Sequence, residues 1–308
     1  MTTPLRWPSL RSQVGGVELS NLVMAASGTA GHGAELAGYG DLRDLGAVVT
    51  KSLAAFAWSG NAAPRVAPAG ASMINAVGLA GPGIERWIDT GFRELTDCGA
   101  TVVASIWGRT VEEFADAARA LVGLDVAAVE INASCPNLES RNSIFANSPE
   151  ATSAIMKATD CLRVPRWVKL TTTAPLLLDV VAAATEAGAH AVTLGNTLTG
   201  MEIDVVARRP VLGNGGGGVS GEAARPVALR AVYDVRAAYS HLPIIGTGGV
   251  MGARDVVALV MAGADAVQVG TATFSHPRAT WKISAATDRW LRRHGYQSIR
   301  ELQGVAHG

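Results

Sequence analysis

The segment Ile131-Asn132-Ala133-Ser134-Cys135-Pro136-Asn137 sets a thiol between two carboxamides just where an apolar run, Val126 to Ile131, gives out. That run reads as a buried strand, expected over Ala127–Cys135. A thiol whose pKa is lowered by its surroundings can act as general base or nucleophile. The flanking amides can orient a planar polar ligand beside it. Cys98 and Cys161 fall in helical stretches and read instead as small buried hydrophobes.

Lysine is scarce, with only Lys51, Lys157, Lys169 and Lys282 in an arginine-rich chain. Lys51, followed by Ser52, and Lys169 both fall at expected strand ends, where a cation serves chemistry better than packing. Asn75, Asn132, Asn137 and Asn196 lie at or just beyond strand ends too. Several amides converging on one rim suit a pocket that reads both edges of a cyclic amide or imide. Two glycine turns, Gly246-Thr247-Gly248-Gly249 and Gly270-Thr271, end the last two expected strands. In a barrel of parallel strands those loops commonly bind phosphate through backbone N–H groups and a helix N-terminus.

Eight apolar strands are expected to carry these groups: 23–28, 47–52, 101–107, 127–135, 166–171, 191–197, 243–249 and 266–272. They are apolar throughout rather than alternating, as parallel strands buried on both faces are. Helical stretches alternate with them over 84–98, 111–121, 150–161, 177–187, 224–239 and 253–262. Gly-Ala turns at Gly46, Gly188 and Gly263 supply the breaks. Eight such units specify a TIM (β/α)8 barrel, in a single domain over 1–308. A doubly wound open sheet competes, but Ala26-Ser27-Gly28-Thr29-Ala30-Gly31 is a poor dinucleotide turn. An N-terminal β-hairpin around Gly15-Gly16 should close the barrel bottom. Long loops over 54–74 and 198–222 should overhang the C-terminal mouth.

The balance of 26 Lys+Arg against 26 Asp+Glu argues against nucleic acid as a partner. No apolar run is long enough for a membrane span, and the N-terminus lacks the layout of a signal peptide. Three cysteines with no metal spacing fit a reducing cytoplasm. The six histidines form no zinc motif, so no metal is expected, and no serine-hydrolase elbow occurs.

An ordered set of blocks resembles the dihydroorotate dehydrogenases of class 1, and within them the class 1B catalytic subunits. The blocks are 21–29, Val49-Thr50-Lys51-Ser52, Met73 to Leu79, 132–137, Asn196 to Asp204, 218–221 and the two glycine turns. The resemblance implies FMN across the barrel mouth, its phosphate on Gly221, Gly248, Gly249, Gly270 and Thr271. Ser27, Lys51, Ser52, Ser105, Asn132, Lys169 and Gly195 would contact the rest of the flavin. Dihydroorotate, or its product orotate, would be held by Lys51, Asn75, Ala76, Val77, Gly78, Leu79, Asn132, Asn137, Asn196 and Thr197. Cys135 would take the C5 proton while hydride leaves C6 for the flavin, under a closing loop over 138–145. A homodimer and a partner subunit carrying FAD and an iron–sulfur cluster, with NAD as final acceptor, are further implications, and fumarate or another soluble oxidant is the alternative acceptor without such a partner.

There are departures from the family pattern. Gly81 replaces an asparagine, Gly195 an aliphatic residue, Ser105 an asparagine, and Thr171-Thr172-Thr173 a Ser-Pro-Asn. They leave open an FMN oxidoreductase acting on another cyclic amide or imide. A flavin-free phosphate-binding isomerase or lyase is the reading from another class.

Overall fold

The computed structural model describes residues 6–134 and 144–308. Cys135, Asn137 and the expected closing loop up to Ser143 therefore lie outside the described residues.

Eight parallel strands close into a barrel: Val23–Ala25 (β1), Val48–Val49 (β2), Val102–Ile106 (β3), Ala128–Asn132 (β4), Arg166–Leu170 (β5), Ala191–Leu194 (β6), Ile244–Thr247 (β7) and Ala266–Val269 (β8). Each pairs with its neighbour in sequence, and β8 pairs with β1. All eight expected strands are present, but each ladder stops short of its expected C-terminal end. The glycines and polar residues there have already left the sheet, and Ala272 begins a helix.

Helices cover the barrel. The β1–β2 connection is the exception, with two 3-10 turns, Ala37–Tyr39 and Leu42–Asp44, in place of an α-helix. The expected helix over 84–98 is interrupted by a π-helical turn at Ile88–Phe92. Gly188 (φ +89°) and Gly263 (φ +116°) are left-handed breaks as expected. Gly46 is needed for a different reason. A Cβ there would lie 1.9 Å from the carbonyl oxygen of Asn21. A further helix, Ala279–Arg293, lies beyond the last glycine turn and is absent from the expected set.

The hairpin Ser12–Val14/Val17–Leu19 forms as expected. Val14, Val17 and Leu19 pack with Met24, Ala47, Val49, Val103, Ala128, Trp167, Ala191, Ile245 and Ala266 in a core distinct from the helix–sheet layer. This apolar plug fills the lower barrel, and Trp167 Nε1 donates to the Gly15 carbonyl (3.3 Å). Above it the interior turns polar. Glu130 on β4 is fully buried and accepts from Thr193 Oγ1 (3.1 Å) and Gln268 Nε2 (2.8 Å).

The two long loops are not irregular, which corrects the sequence expectation. Val66–Ala69 and Ser72–Asn75 form a hairpin. It pairs through Ser72–Asn75 with Gly217–Gly221, which pairs in turn with Leu198–Gly200. The result is a four-stranded antiparallel sheet built from loops more than a hundred residues apart. A second small hairpin, Ile203–Asp204 with Arg209–Pro210, projects from the later loop.

Candidate active site

The polar groups at the C-terminal strand ends form one connected network. Asn196 Nδ2 donates to Ser134 Oγ (2.6 Å), which donates to Asn132 Oδ1 (2.9 Å). Asn132 Nδ2 donates to Ser52 Oγ (3.1 Å), and Ser52 Oγ meets Ser105 Oγ (2.9 Å) and Ser27 Oγ (3.4 Å). Five strand ends (β6, β4, β2, β3 and β1) are thereby tied into one rim. Asn132 and Lys169 are register partners on β4 and β5. Lys169 is 8% exposed, and its amine has neither a hydrogen-bond acceptor nor an ion-pair partner among the described residues. A buried cation left open in this way is set to receive a negative ligand.

Lys51 leaves β2 and donates from Nζ to the Ala80 carbonyl (2.9 Å). Burial, reinforced by the charge of Arg65, holds its ammonium below the usual lysine range. Asn75 ends the second strand of the antiparallel sheet and donates to the Gly218 carbonyl (3.3 Å). Thr197 lies against the same strand, because a Cβ on Gly218 would meet its Oγ1 at 1.9 Å. The sheet thus brings Asn75 and Thr197 together.

The loop after Asn75 is held along one side. The carbonyls of Ala76 and Val77 accept from Asn61 (3.1 Å each) and that of Gly78 from Trp58 Nε1 (3.0 Å). The amides of Val77, Gly78, Leu79 and Ala80 donate to no acceptor among the described residues. In a trans peptide the N–H points opposite to the C=O. Capping three successive carbonyls therefore turns three successive N–H groups the other way, into a donor row suited to an anion.

Across the mouth the glycine turns meet the N-terminus of the helix Arg225–Ala238. A Cβ on Gly249 (φ +69°) would lie 2.7 Å from the Arg225 nitrogen, and one on Gly248 would lie 3.0 Å from Ala228 Cβ. Gly221 neighbours Thr271, with its Cβ position 3.6 Å from Thr271 Cγ2. The amides of Gly248, Gly249, Gly270 and Thr271 donate to nothing among the described residues. Free amides beside a helix N-terminus make a phosphate cradle.

The departures acquire physical reasons. A Cβ on Gly195 (φ +141°) would sit 1.9 Å from the Thr247 carbonyl oxygen, so no aliphatic side chain fits here. Ser105 is part of the rim network. A Cβ on Gly81 would lie 3.1 Å from His32 Nε2, so the imidazole takes the space an asparagine would need. Thr171 and Thr173 bond to each other (3.1 Å). Cys161 is exposed and Cys98 half-buried, correcting their reading as buried hydrophobes.

A comparison with known families matches residues 9–291 to the dihydroorotate dehydrogenase family. The chain belongs to that family. It is 43% identical over 296 residues to the catalytic subunit of dihydroorotate dehydrogenase B (NAD(+)) from Desulforudis audaxviator, covering 96% of each chain. The protein of the same description from Geobacter sp. (strain M21) is 41% identical over 303 residues, covering 97% of this chain and 98% of the other. Dihydroorotate dehydrogenases are oxidoreductases, so this chain is an enzyme of that class. No helix among the described residues is long and apolar enough to cross a membrane.

For a dihydroorotate dehydrogenase, four participants escaped the sequence reading. Ser134 links two of the expected asparagines. Trp58 and Asn61 hold the loop carrying residues 76–79. His32 is the fourth, half-buried, with Nε2 enclosed and without a partner. Ser134 had a signal in its place inside the thiol motif, and Trp58 and Asn61 in theirs inside the long loop over 54–74. Burial and the charge of Lys51 lower the His32 pKa below its ordinary 6.5, and Glu35 opposes them. The folded protein therefore prefers neutral His32. Its stability is complete above about pH 6.5 and falls as pH drops through that value toward the depressed folded pKa. Thermal midpoints between pH 7.5 and 5.5 should fall more steeply for the parent than for His32→Gln. Parallel curves would remove His32 from the acid response.

Proposed function

We propose that this enzyme oxidises dihydroorotate to orotate in pyrimidine synthesis, using FMN held across the barrel mouth. The observation that carries the reading is the rim network together with the amides at 77–80 and the Lys169 amine, which have no protein partner among the described residues. This pairs a surface for a flat amide ring with donors for its carboxylate.

The residues fit FMN. Among the described residues Gly248, Gly249, Gly270 and Thr271 leave backbone donors free beside a helix N-terminus, where its phosphate would rest with Gly221 alongside. Ser27, Ser52, Ser105, Asn132, Lys169 and Gly195 line the approach to its ring. When bound, FMN supplies the acceptor for the hydride leaving C6 of the substrate. The protein's part is binding, orientation and proton movement. Lys51, Asn75, Asn132, Asn196 and Thr197, with Asn137, orient the ring. The amides of residues 77–79 and the Lys51 ammonium receive the carboxylate, whereas the Ala76 N–H is spent on the Arg65 carbonyl (2.8 Å). Cys135 removes the C5 proton, and the loop over 138–145 excludes water.

The wider assembly follows from other features. The relatives' description as NAD(+) catalytic subunits supports a partner subunit, for which the class 1B resemblance implies FAD and a 2Fe–2S cluster. The hairpin bearing Val205 and Val206, 81% and 89% exposed, together with Met201 and Ile203, supports a homodimer. The unpaired thiols of Cys98 and Cys161 suit a reducing cytoplasm.

Anaerobic addition of dihydroorotate to the purified yellow protein should bleach its bound flavin and yield orotate. Protein that never takes up FMN would remove the flavin reading altogether. Loaded protein that stays yellow with dihydroorotate but bleaches with another cyclic amide would move the activity to that substrate.

A further inference from the structure

We propose that Trp58 is a positioning residue, whose indole N–H fixes the Gly78–Leu79 peptide so that the Leu79 amide is presented to the substrate's carboxylate. This rests on the reading of the site given above and adds to it a residue outside the motifs that carried that reading.

Trp58 grips the loop at three points. Its Nε1 donates to the Gly78 carbonyl (3.0 Å), its backbone N–H donates to the Gly81 carbonyl (2.9 Å), and its carbonyl accepts from Gly81 N–H (2.9 Å). Between these points lies Leu79 at φ +60°, one of two non-glycine residues with positive φ among the described residues. A branched side chain in that region costs on the order of 1–2 kcal/mol. Such a conformation persists only when its surroundings over-determine it. The bracket of bonds from Trp58 does so. Because the Gly78 carbonyl and the Leu79 N–H share one peptide plane, fixing the first aims the second.

The indole is itself held. Phe56 and Trp107 meet it edge to face, at ring-centroid distances of 6.1 and 6.3 Å, and meet each other at 5.9 Å. The Arg109 guanidinium lies 5.2 Å from the Trp58 ring and 4.6 Å from that of Phe56. Arg109 is in turn fixed by Glu113, its Nε lying 2.9 Å from Oε1. Trp107 is buried and directly follows β3. A rigid path therefore leads from a barrel strand through the aromatic stack to one peptide of the substrate loop. Aromatic packing alone does not require the indole N–H to meet an acceptor, and here it ends on the carbonyl behind an amide that is unpaired among the described residues.

Trp58→Phe keeps the ring and removes the donor. Orotate affinity, read from the shift it causes in the absorption of bound FMN, should weaken about tenfold, equivalent to about 1.4 kcal/mol. KM for dihydroorotate should rise by a similar factor while kcat falls less than threefold. FMN content and thermal midpoint should stay at the parent's values. An orotate Kd within twofold of the parent's would overturn the proposal and leave the assigned reaction intact. A parent protein that does not respond to orotate would overturn both. Should Trp58→Phe fail to yield loaded protein, Trp58→His, which retains a ring N–H, decides. A parent-like Kd upholds the role, and a tenfold loss overturns it.

Discussion

Cys135→Ser should slow flavin reduction by dihydroorotate near neutral pH by about 10²–10³-fold, within the range that a positioned general base contributes. Serine is a far weaker acid than a thiol, so its share of the reactive anion at pH 7 is minute. The deficit should shrink as pH rises, whereas the parent's rate should level off once the thiolate is fully formed. Orotate binding should change little, because the carboxamides proposed to orient the ring and the backbone amides proposed to receive its carboxylate are untouched. The two residues that lead into the thiol make a sharp result credible. Asn132 and Ser134 are both fixed in the rim network, so the chain enters position 135 from a rigid base. Stopped-flow traces of equal rate for mutant and parent would take the base role away from Cys135.

Lys169→Met should do two opposite things. Lys169 is buried as a residue, and its amine has no acceptor or counter-ion among the described residues. Removing it while keeping an apolar stem should raise the thermal midpoint of the FMN-free protein, since a desolvated, unpaired charge is costly. With FMN bound, the same change removes the cation available to negative charge. The reduction potential should fall by roughly 30–60 mV, which for two electrons is about 1.4–2.8 kcal/mol. The rate of reduction should drop about 10²-fold, the usual size for loss of one electrostatic stabiliser. Equilibrium titration against a reference dye measures the potential, and an unchanged value would relocate the role to another residue.

The barrel was legible because its strands are uniformly apolar, a pattern that only burial on both faces explains. Their C-terminal ends were read too long because Gly28 (φ +87°) and Gly249 (φ +69°) turn the chain out of the sheet. The antiparallel sheet over the mouth was not legible. Its middle strand, Gly217-Gly218-Val219-Ser220-Gly221, has almost no side chains to alternate, and its partners come from a distant loop. The helix Ala279–Arg293 was hidden for a different reason. Its buried face carries Thr280, Ser284, Thr287 and Asp288, which blur the apolar period. Ser284 and Thr287 satisfy their hydroxyls on main-chain carbonyls within the helix. The rim asparagines and lysines were legible by type and place. Trp58 was not, because an aromatic residue in a loop resembles packing until its N–H is traced to a carbonyl.

The ladder that joins Ser72–Asn75 to Gly217–Gly221 has an evolutionary and engineering corollary. With Asn75 and Thr197 in the proposed substrate site, substrate preference should not be retunable one loop at a time. Grafting either segment alone from a relative would leave Asn75 and Thr197 out of step across the seam. The pair forms one structural unit, and libraries aimed at new substrates should exchange both halves together.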